Sequence, residues 1–548
     1  MTNKTIEYIP FRSIVKSEGI SGVEILLRNP PRQAVLGNSE ICTFSPRGYA
    51  VLDFGEEVCG GIEVTVQTLS NSSSRIRVTF GESLMEAMSS IGEKNATNDH
   101  SARDLVVAVS PYSNVRIGQT GFRFVRVEAV DSEIAFAGMR VVSELYNVRY
   151  KGSFESSDEL LNQIWHVGAR TVHLCMQDYL WDGIKRDRLV WIGDMHAEVS
   201  AIAAVFGYDP IVDNSLDLIK NYTPHFQWMN GIPSYSFWWL IIVRDWYMHT
   251  GDSSFIFKEK DYILSLISFV VNSIKSDGTD TFVCNLSNPE YVNDYQKYFI
   301  DWETYGTPES KSGFYAVLVM ALKAASQIAI VLKASAVSAE CESMVRFIRK
   351  MPLPNSENKQ IAALMSLAEL RDAQVVNDTV LSREPVADIS SYLGYYTLLA
   401  KAKSGDVAGG IDIVKKYWGR MLELGATSFW ESFDYVGSFD AIGIDQIVPN
   451  HKKGIHGDYG NYCYKGFRCS LCHGWACGPT PFLSNHVLGI TPLEAGFKKV
   501  LVRPSLGNLD YVQGSYPTPY GNIEVRAKNV NGKLQTTIQA PSVIEIIE

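Results

Sequence analysis

Hydrophobic and polar positions change their period twice along this chain. In GGIEVTVQTL, Ile62, Val64 and Val66 alternate with Glu63, Thr65 and Gln67, and Ile76, Val78 and Phe80 repeat the alternation in SRIRVTF. Period two puts successive side chains on opposite faces of a strand, so residues 1–147 are expected to form a β-sandwich. The change comes at SFESSDELLNQIWHVGARTVHL. There Leu161, Ile164, Trp165 and Val172 take helical spacing, and Ser156 with Glu159 reads as a capping box. Helical patterns then fill residues 148–492. YILSLISFVVNSI, for example, lines Ile263, Leu266, Ile267, Val270 and Ile274 along one face. After GITP the period returns to two, and NIEVRAKNVNGKLQTTIQA predicts a hairpin turning at Asn531 and Gly532. Residues 493–548 therefore read as a small closing β domain.

Composition narrows the partners. A chain of 548 residues that is 46% hydrophobic and 20% charged can bury more than one core. Lys and Arg number 50 against 60 Asp and Glu, and the net charge of -10 repels phosphate backbones, so no nucleic-acid partner is expected. The most apolar stretch, FYAVLVMALKAASQIAIVLK, is interrupted by Lys323, Ser326 and Gln327 and reads as a buried helix, so no membrane partner is expected either. MTNKTIEYIPFRSIV has no apolar stretch followed by small residues, and the 9 cysteines are odd in number and scattered. Both features suit reduced thiols in a cytoplasm, and the expected location becomes periplasmic only if a signal peptide has been removed. Cys463, Cys469, Cys472, His473 and Cys477 crowd into CYKGFRCSLCHGWAC. Only Cys469 and Cys472 are spaced as C-x-x-C, which favours buried thiols over zinc, so no metal is expected. Phosphate-cradling glycine motifs and the G-x-S-x-G elbow are absent from the sequence, and no cofactor is expected. The 11 Trp and 27 Tyr suit stacking on uncharged sugar rings.

DGIKRDRLVWIGD, residues 182–194, sets Asp182, Asp187 and Asp194 around Arg186, Arg188 and Trp191. Gly183 and Gly193 argue for a loop between helices. Glycoside hydrolysis needs one protonated carboxyl for the leaving oxygen and one carboxylate for water or carbon, and crowded acids near an aromatic ring can separate two such pKa values. Arg186 and Arg188 act in the opposite direction, so spacing alone equally fits a salt-bridged connecting loop.

The segment resembles the D-x-P-x-R-E-R-x-G-W-x-G-D hallmark of bacterial α-L-rhamnosidases of glycoside hydrolase family 78. GGIEV, FGESL and GFRFVRVE resemble that family's N-terminal β-sandwich, and FESSDELLNQIW resembles the lead-in to its six-hairpin barrel. GATSFWESFD resembles its G-A-T-T-x-W-E-x-W-D, and GSYPTPYGNIEV its closing β domain. The resemblance implies a multidomain α and β protein, with a central (α/α)6 barrel flanked by an N-terminal β-sandwich and a small C-terminal β domain. It implies an inverting, exo-acting hydrolase of terminal α-L-rhamnosyl residues, with Asp187 as general acid and Glu431 as general base, their carboxyls ~6.5–9.5 Å apart. Asp182, Arg186, Trp191 and Asp194 would hold the sugar, with Trp302 of FIDWE as a platform, His473 of SLCHGW in the pocket, and Trp239 or its neighbour Trp238 as a further aromatic. The partner implied is a rhamnose-containing glycoside, and a homodimer stays open.

The sequence departs from the hallmark at three positions. Asp187 stands where the family usually has Glu, one methylene longer, which moves the proton ~1 Å. Ile184 replaces Pro, and Val190 replaces the first Gly of G-W. Two alternatives stay open beside the first reading: a six-hairpin hydrolase of another terminal sugar, and a catalytically weak carbohydrate-binding relative.

Overall fold

The computed structural model describes residues 3–29, 33–37, 40–71, 73–274, 298–459 and 464–548. Its alternating N-terminal residues pair into strands β1 (Lys4–Ile9), β2 (Ser13–Ser21), β3 (Cys42–Leu69), β4 (Ser74–Gly81), β5 (Asp104–Val109), β6 (Ser113–Ala129) and β7 (Ile134–Tyr146). They form one hydrogen-bonded antiparallel sheet in the order β1-β7-β3-β6-β4-β5, with β2 also on β3. The expected sandwich is thus a single sheet that curls. Strand β3 makes the curl: Cys42–Phe44 and Val66–Leu69, at its two ends, both pair with Ile134–Phe136 of β7. Register shifts between Asp53 and Val58 against β6 supply the bend. Ile62, Val64 and Val66 are fully buried, but so are Thr65 and Gln67, because curling covers both faces of this stretch. Phe44 packs edge-on against Phe136 at 5.1 Å, and Phe80 packs at a tilt against Phe122 at 4.8 Å, within the enclosed core.

The chain divides into two compact units that do not follow its order. The first contains residues 1–147, 173–189 and 420–473, and the second contains 148–172, 190–419 and 474–548. Two segments that the sequence pattern groups with the helices, 173–189 and 420–473, therefore pack with the N-terminal sheet.

In the second unit, helix Glu159–Cys175 is capped differently from the expected box. The Asp158 carboxylate accepts from the amides of Leu160 (3.0 Å) and Leu161 (3.3 Å), while Ser156 belongs to strand β8 (Ser153–Ser156). An aspartate one residue before the helix competes better for those amides than a serine held in a strand. The Trp165 indole donates to Ser484 Oγ at 2.9 Å. Helix Ser310–Val331 is long and apolar enough to cross a membrane, yet 72% of its apolar window is buried, packed between helices Pro233–Thr250 and Ser335–Ile348. Strand β8 joins Tyr511–Thr518, Gly521–Val530 and Lys533–Gln539 as the fourth strand of the closing sheet. The hairpin turns at Asn531 (φ 52) and Gly532 (φ 77), as the sequence predicts. The closing β domain thus takes a strand from before the helices, and residue 493 is not its sole boundary.

Gly60 marks the closest approach inside the curled sheet, since a Cβ there would sit 2.0 Å from the Val142 carbonyl oxygen. Gly60→Ala is expected to cost at least roughly 1–3 kcal/mol and to lower the melting temperature in a calorimetric scan. An unchanged transition would show that β3 and β7 separate without loss.

Candidate active site

Three short segments of the first unit are knitted together around the expected carboxylates. Residues 182–189 close on themselves: the Asp182 amide donates to the Leu189 carbonyl at 3.0 Å, and the Leu189 amide donates to Asp182 Oδ1 at 2.9 Å. Gly183 pairs with His473 as an isolated antiparallel bridge. The Glu431 amide donates to the Ser470 carbonyl, and the His473 amide to that of Phe429, both at 3.0 Å. Together these bonds lock the Glu431 segment to 470–473. Gly121 of β6 lets the loop approach the sheet, because a Cβ there would meet Ile184 Cγ1 at 2.7 Å. Ile184, standing where the family pattern has Pro, is a buried contact with that strand.

Arg186 joins the two candidate catalytic carboxylates. Its Nη1 lies 2.6 Å from Asp187 Oδ1 and its Nη2 donates to Glu431 Oε1. Its Nε donates to the Arg468 carbonyl at 3.2 Å, and Tyr464 covers the guanidinium face at 3.5 Å. Burial alone would raise the Glu431 pKa, but the Arg186 charge and hydrogen bond, with the Ser470 amide at 2.9 Å, hold it down at about 2. Glu431 is therefore a carboxylate at any ordinary pH. Asp182 behaves oppositely: burial and the neighbouring Asp187 charge push its pKa well above the usual range. His473 Nε2 lies 3.7 Å from Asp182 Oδ2, and burial lowers the His473 pKa to about 4, leaving the ring neutral near pH 7. Asp187 is the least buried of these acids. It sits with Arg188 in left-handed backbone, φ 52 and 59, and 3.4 Å from His100 Nε2. Such backbone at two consecutive non-glycine residues stores strain of roughly 1–3 kcal/mol each. Arg188 braces it by donating to the Gln119 carbonyl at 3.1 Å and by lying over Trp181.

Beneath this layer lies a second charge cluster that sequence reasoning missed. Lys185 reaches Glu82 (2.9 Å) and Glu86 (3.3 Å), and donates to the carbonyls of Phe467 (2.8 Å) and Cys469 (2.7 Å). Glu82, Glu86 and His456 place ligand atoms within 4.8 Å of one another, a spacing a metal ion could use, but the Lys185 ammonium already contacts both carboxyl groups there. The available signal was FGESL, which contains Glu82 and opens the Ser83-x-x-Glu86 cap of helix Leu84–Met88. His100, Tyr464 and Ser470 carried no signal. Among the described residues, Cys469 and Cys472 join no metal-binding group, and Cys463 lies outside the described residues.

The other four expected residues belong to the second unit. Asp194 is buried ahead of helix Met195–Val205. Trp191 is half-buried and meets Tyr235 edge-on at 6.1 Å. A Cβ on Gly193 would strike the Tyr235 ring at 2.3 Å, which explains the glycine there. Trp302 is 43% exposed, propped by Phe299 and Tyr305, with an amide bonded to the buried Asp301 carboxylate at 2.7 Å. Trp239 requires correction. It is fully buried, its indole donates to the Leu216 carbonyl at 3.3 Å and its ring packs on Phe255 and Tyr262. Trp238 is buried as well, stacked on His196 at 5.1 Å. Both fill the helical core, where aromatics are common, and neither has a free face.

Comparison with known families places two domains on the chain. Residues 149–350 match the bacterial alpha-L-rhamnosidase 6 hairpin glycosidase domain, and residues 489–545 match the bacterial alpha-L-rhamnosidase C-terminal domain. The first match includes Asp182 to Asp194, and Glu431 and His473 lie outside both. The fold is similar to the GH78 rhamnosidase of Bacillus sp. GL1, with TM-score 0.75 and 21% identity over 96% of this chain. It is also similar to a Klebsiella oxytoca rhamnosidase with rhamnose bound, with TM-score 0.68 and 18% identity over 88% of this chain and 96% of that one. A Streptomyces avermitilis alpha-L-rhamnosidase complexed with L-rhamnose matches with TM-score 0.70 and 13% identity, over 94% of this chain and 49% of that one. The chain spans 55% of the Bacillus protein. A search of curated proteins finds no match. The mixed architecture, with its curled N-terminal sheet, helical middle and small closing β domain, is thereby similar in fold to these solved rhamnosidases.

Glu431 binds its proton more weakly when folded, at about 2, than in an unfolded chain at ~4.3. Its contribution to stability is complete above ~4.3 and lost as pH falls through the folded value. In urea unfolding, the wild-type advantage over Glu431→Gln should therefore shrink between pH ~5 and ~2. A gap independent of pH would contradict the Arg186 pairing.

Proposed function

We propose that this chain, which carries the six-hairpin and C-terminal domains of bacterial α-L-rhamnosidases, is a glycoside hydrolase that removes terminal α-L-rhamnosyl residues with inversion. The observation that carries the reading is Arg186 gripping Asp187 and Glu431 at once, with Arg186 and Asp187 inside the segment that the six-hairpin family model spans. Rhamnose bound in the Klebsiella and Streptomyces proteins supports the choice of sugar.

In this reading Glu431, held as a carboxylate, takes a proton from a water molecule whose oxygen attacks the anomeric carbon. The glycosidic bond breaks on the opposite face, and Asp187 delivers its proton to the departing oxygen. Rhamnose and an alcohol leave. Asp182, in the same unit as Arg186 and Glu431, provides an acceptor for sugar hydroxyls.

One observation favours a second assignment of the acid. Asp182 is the carboxyl whose burial and like-charged neighbour favour the protonated form. Leaving groups separate the two, because an acid matters little for p-nitrophenolate and greatly for an alkoxide. The test is turnover of a panel of p-nitrophenyl glycosides, with methyl α-L-rhamnoside added, by wild type, Asp187→Asn, Asp182→Asn and Glu431→Gln. The expected result is rhamnoside turnover that falls roughly 10²–10⁴-fold in Glu431→Gln on both substrates, and by that amount in Asp187→Asn on the methyl glycoside with a smaller loss on the p-nitrophenyl one. The leaving-group pattern appearing in Asp182→Asn instead would move the acid to Asp182. Turnover of a different glycoside would change the sugar. Sugar binding in calorimetry without turnover of any glycoside would make the chain a binding protein.

A further inference from the structure

The FGESL turn at the end of β4 has no part in the proposed reaction, yet its glutamate reaches the base. Glu82 Oε2 accepts from the Leu471 amide at 2.5 Å and Oε1 lies 3.3 Å from Ser470 Oγ. The Ser470 amide is the one that donates to Glu431 Oε2, and the Ser470 carbonyl receives the Glu431 amide. Glu82 thus holds Ser470, the residue that grips Glu431, together with its neighbour Leu471. Lys185 completes the clamp from the acid loop, tying Glu82 and Glu86 to the carbonyls of Phe467 and Cys469. Ser101 Oγ donates to the Lys185 carbonyl at 3.0 Å, and His456 bonds Ser83 Oγ at 2.7 Å and the Cys469 carbonyl at 2.9 Å. Glu82, Glu86, Lys185 and His456 are all buried, so each unmet charge would be costly and the arrangement is stiff.

We infer that Glu82 and Lys185 are positioning residues for the general base: the buried pair fixes residues 467–471 against the N-terminal sheet, and through Ser470 it fixes the Glu431 carboxylate. Neither side chain touches a reacting atom in this assignment. The geometry requires the N-terminal sheet for catalysis as well as for folding, because the turn that carries Glu82 belongs to it. The kinetic arm of the inference rests on the proposed glycosidase reading, and the structural arm does not.

The test compares wild type with Glu82→Gln, which keeps shape and removes charge, and with Ser470→Ala, which removes one hydroxyl and spares the backbone. In p-nitrophenyl α-L-rhamnoside hydrolysis, kcat of Glu82→Gln is expected to fall about 10-fold or more with KM held within about 2-fold, since a misplaced base weakens only the transition state. Ser470→Ala should follow in the same direction with a smaller loss. Hydrogen exchange read by mass spectrometry should show the Ser470 and Leu471 amides exchanging roughly 10-fold faster in Glu82→Gln, with the amides of Ile62 to Val66 unchanged. Unchanged kcat, or unchanged exchange at 470–471, overturns the inference. Should the wild type hydrolyse no glycoside, the proposed function fails by itself, and the exchange measurement alone decides the positioning role.

Discussion

One guanidinium sets the terms for the whole site. Arg186 is buried, and a buried cation must be matched by close partners or it unfolds what surrounds it. Its match comes from two carboxylates, one carbonyl and one aromatic face, supplied by residues 187, 431, 468 and 464. Those partners come from two stretches of chain more than 240 positions apart, so the guanidinium specifies how the loops meet. The same contact fixes the chemistry available. It keeps Glu431 ionised, as the proposed role of base requires, and it ties Asp187 to the same cation. An arginine serves where a lysine would not, because its planar fork can address two carboxylates at once.

The charge density of residues 182–194 follows from the same logic. Lys185 faces the sheet and its two glutamates, Arg186 faces the carboxylates, and Arg188 faces Gln119 and Trp181. Each cation of the loop has its own receptor, so successive side chains point in different directions and the backbone bends through left-handed values at Asp187 and Arg188 to allow it. That bend is the local cost of presenting a short acid beside a buried arginine.

Periodicity carried most of the architecture. Alternation at Ile62 to Gln67 and at Ile76 to Phe80, helical spacing in the middle and the Asn531-Gly532 turn all describe elements that form. What periodicity left out was long-range. No local pattern reveals that both ends of β3 reach the same three residues of β7, or that Ser153–Ser156 crosses to the closing sheet, since strand partners are chosen by the completed core. Within the site, Asp182, Arg186, Asp187, Glu431 and His473 were legible only because several motifs occurred in order, and they share one compact unit. Trp239 was misread because an aromatic at a helical position is chemically indistinguishable, in sequence, from one at a pocket wall. Glu82 and Lys185 stood inside legible motifs, but their meaning depends on each other across about a hundred residues. Asp158 displaced the expected Ser156 cap through a competition that only hydrogen-bond geometry decides.

The central claim is that Glu431 activates water on the face opposite the departing oxygen, so the configuration at the anomeric carbon inverts. Proton NMR of the first product formed from an α-L-rhamnoside tests it most directly, before mutarotation blurs the record. The predicted result is the β-anomer of rhamnose appearing first, with the α-anomer growing in later. The α-anomer appearing first would mean a covalent intermediate, and would contradict the roles of Glu431 as base and of Arg186 as the cation that holds it.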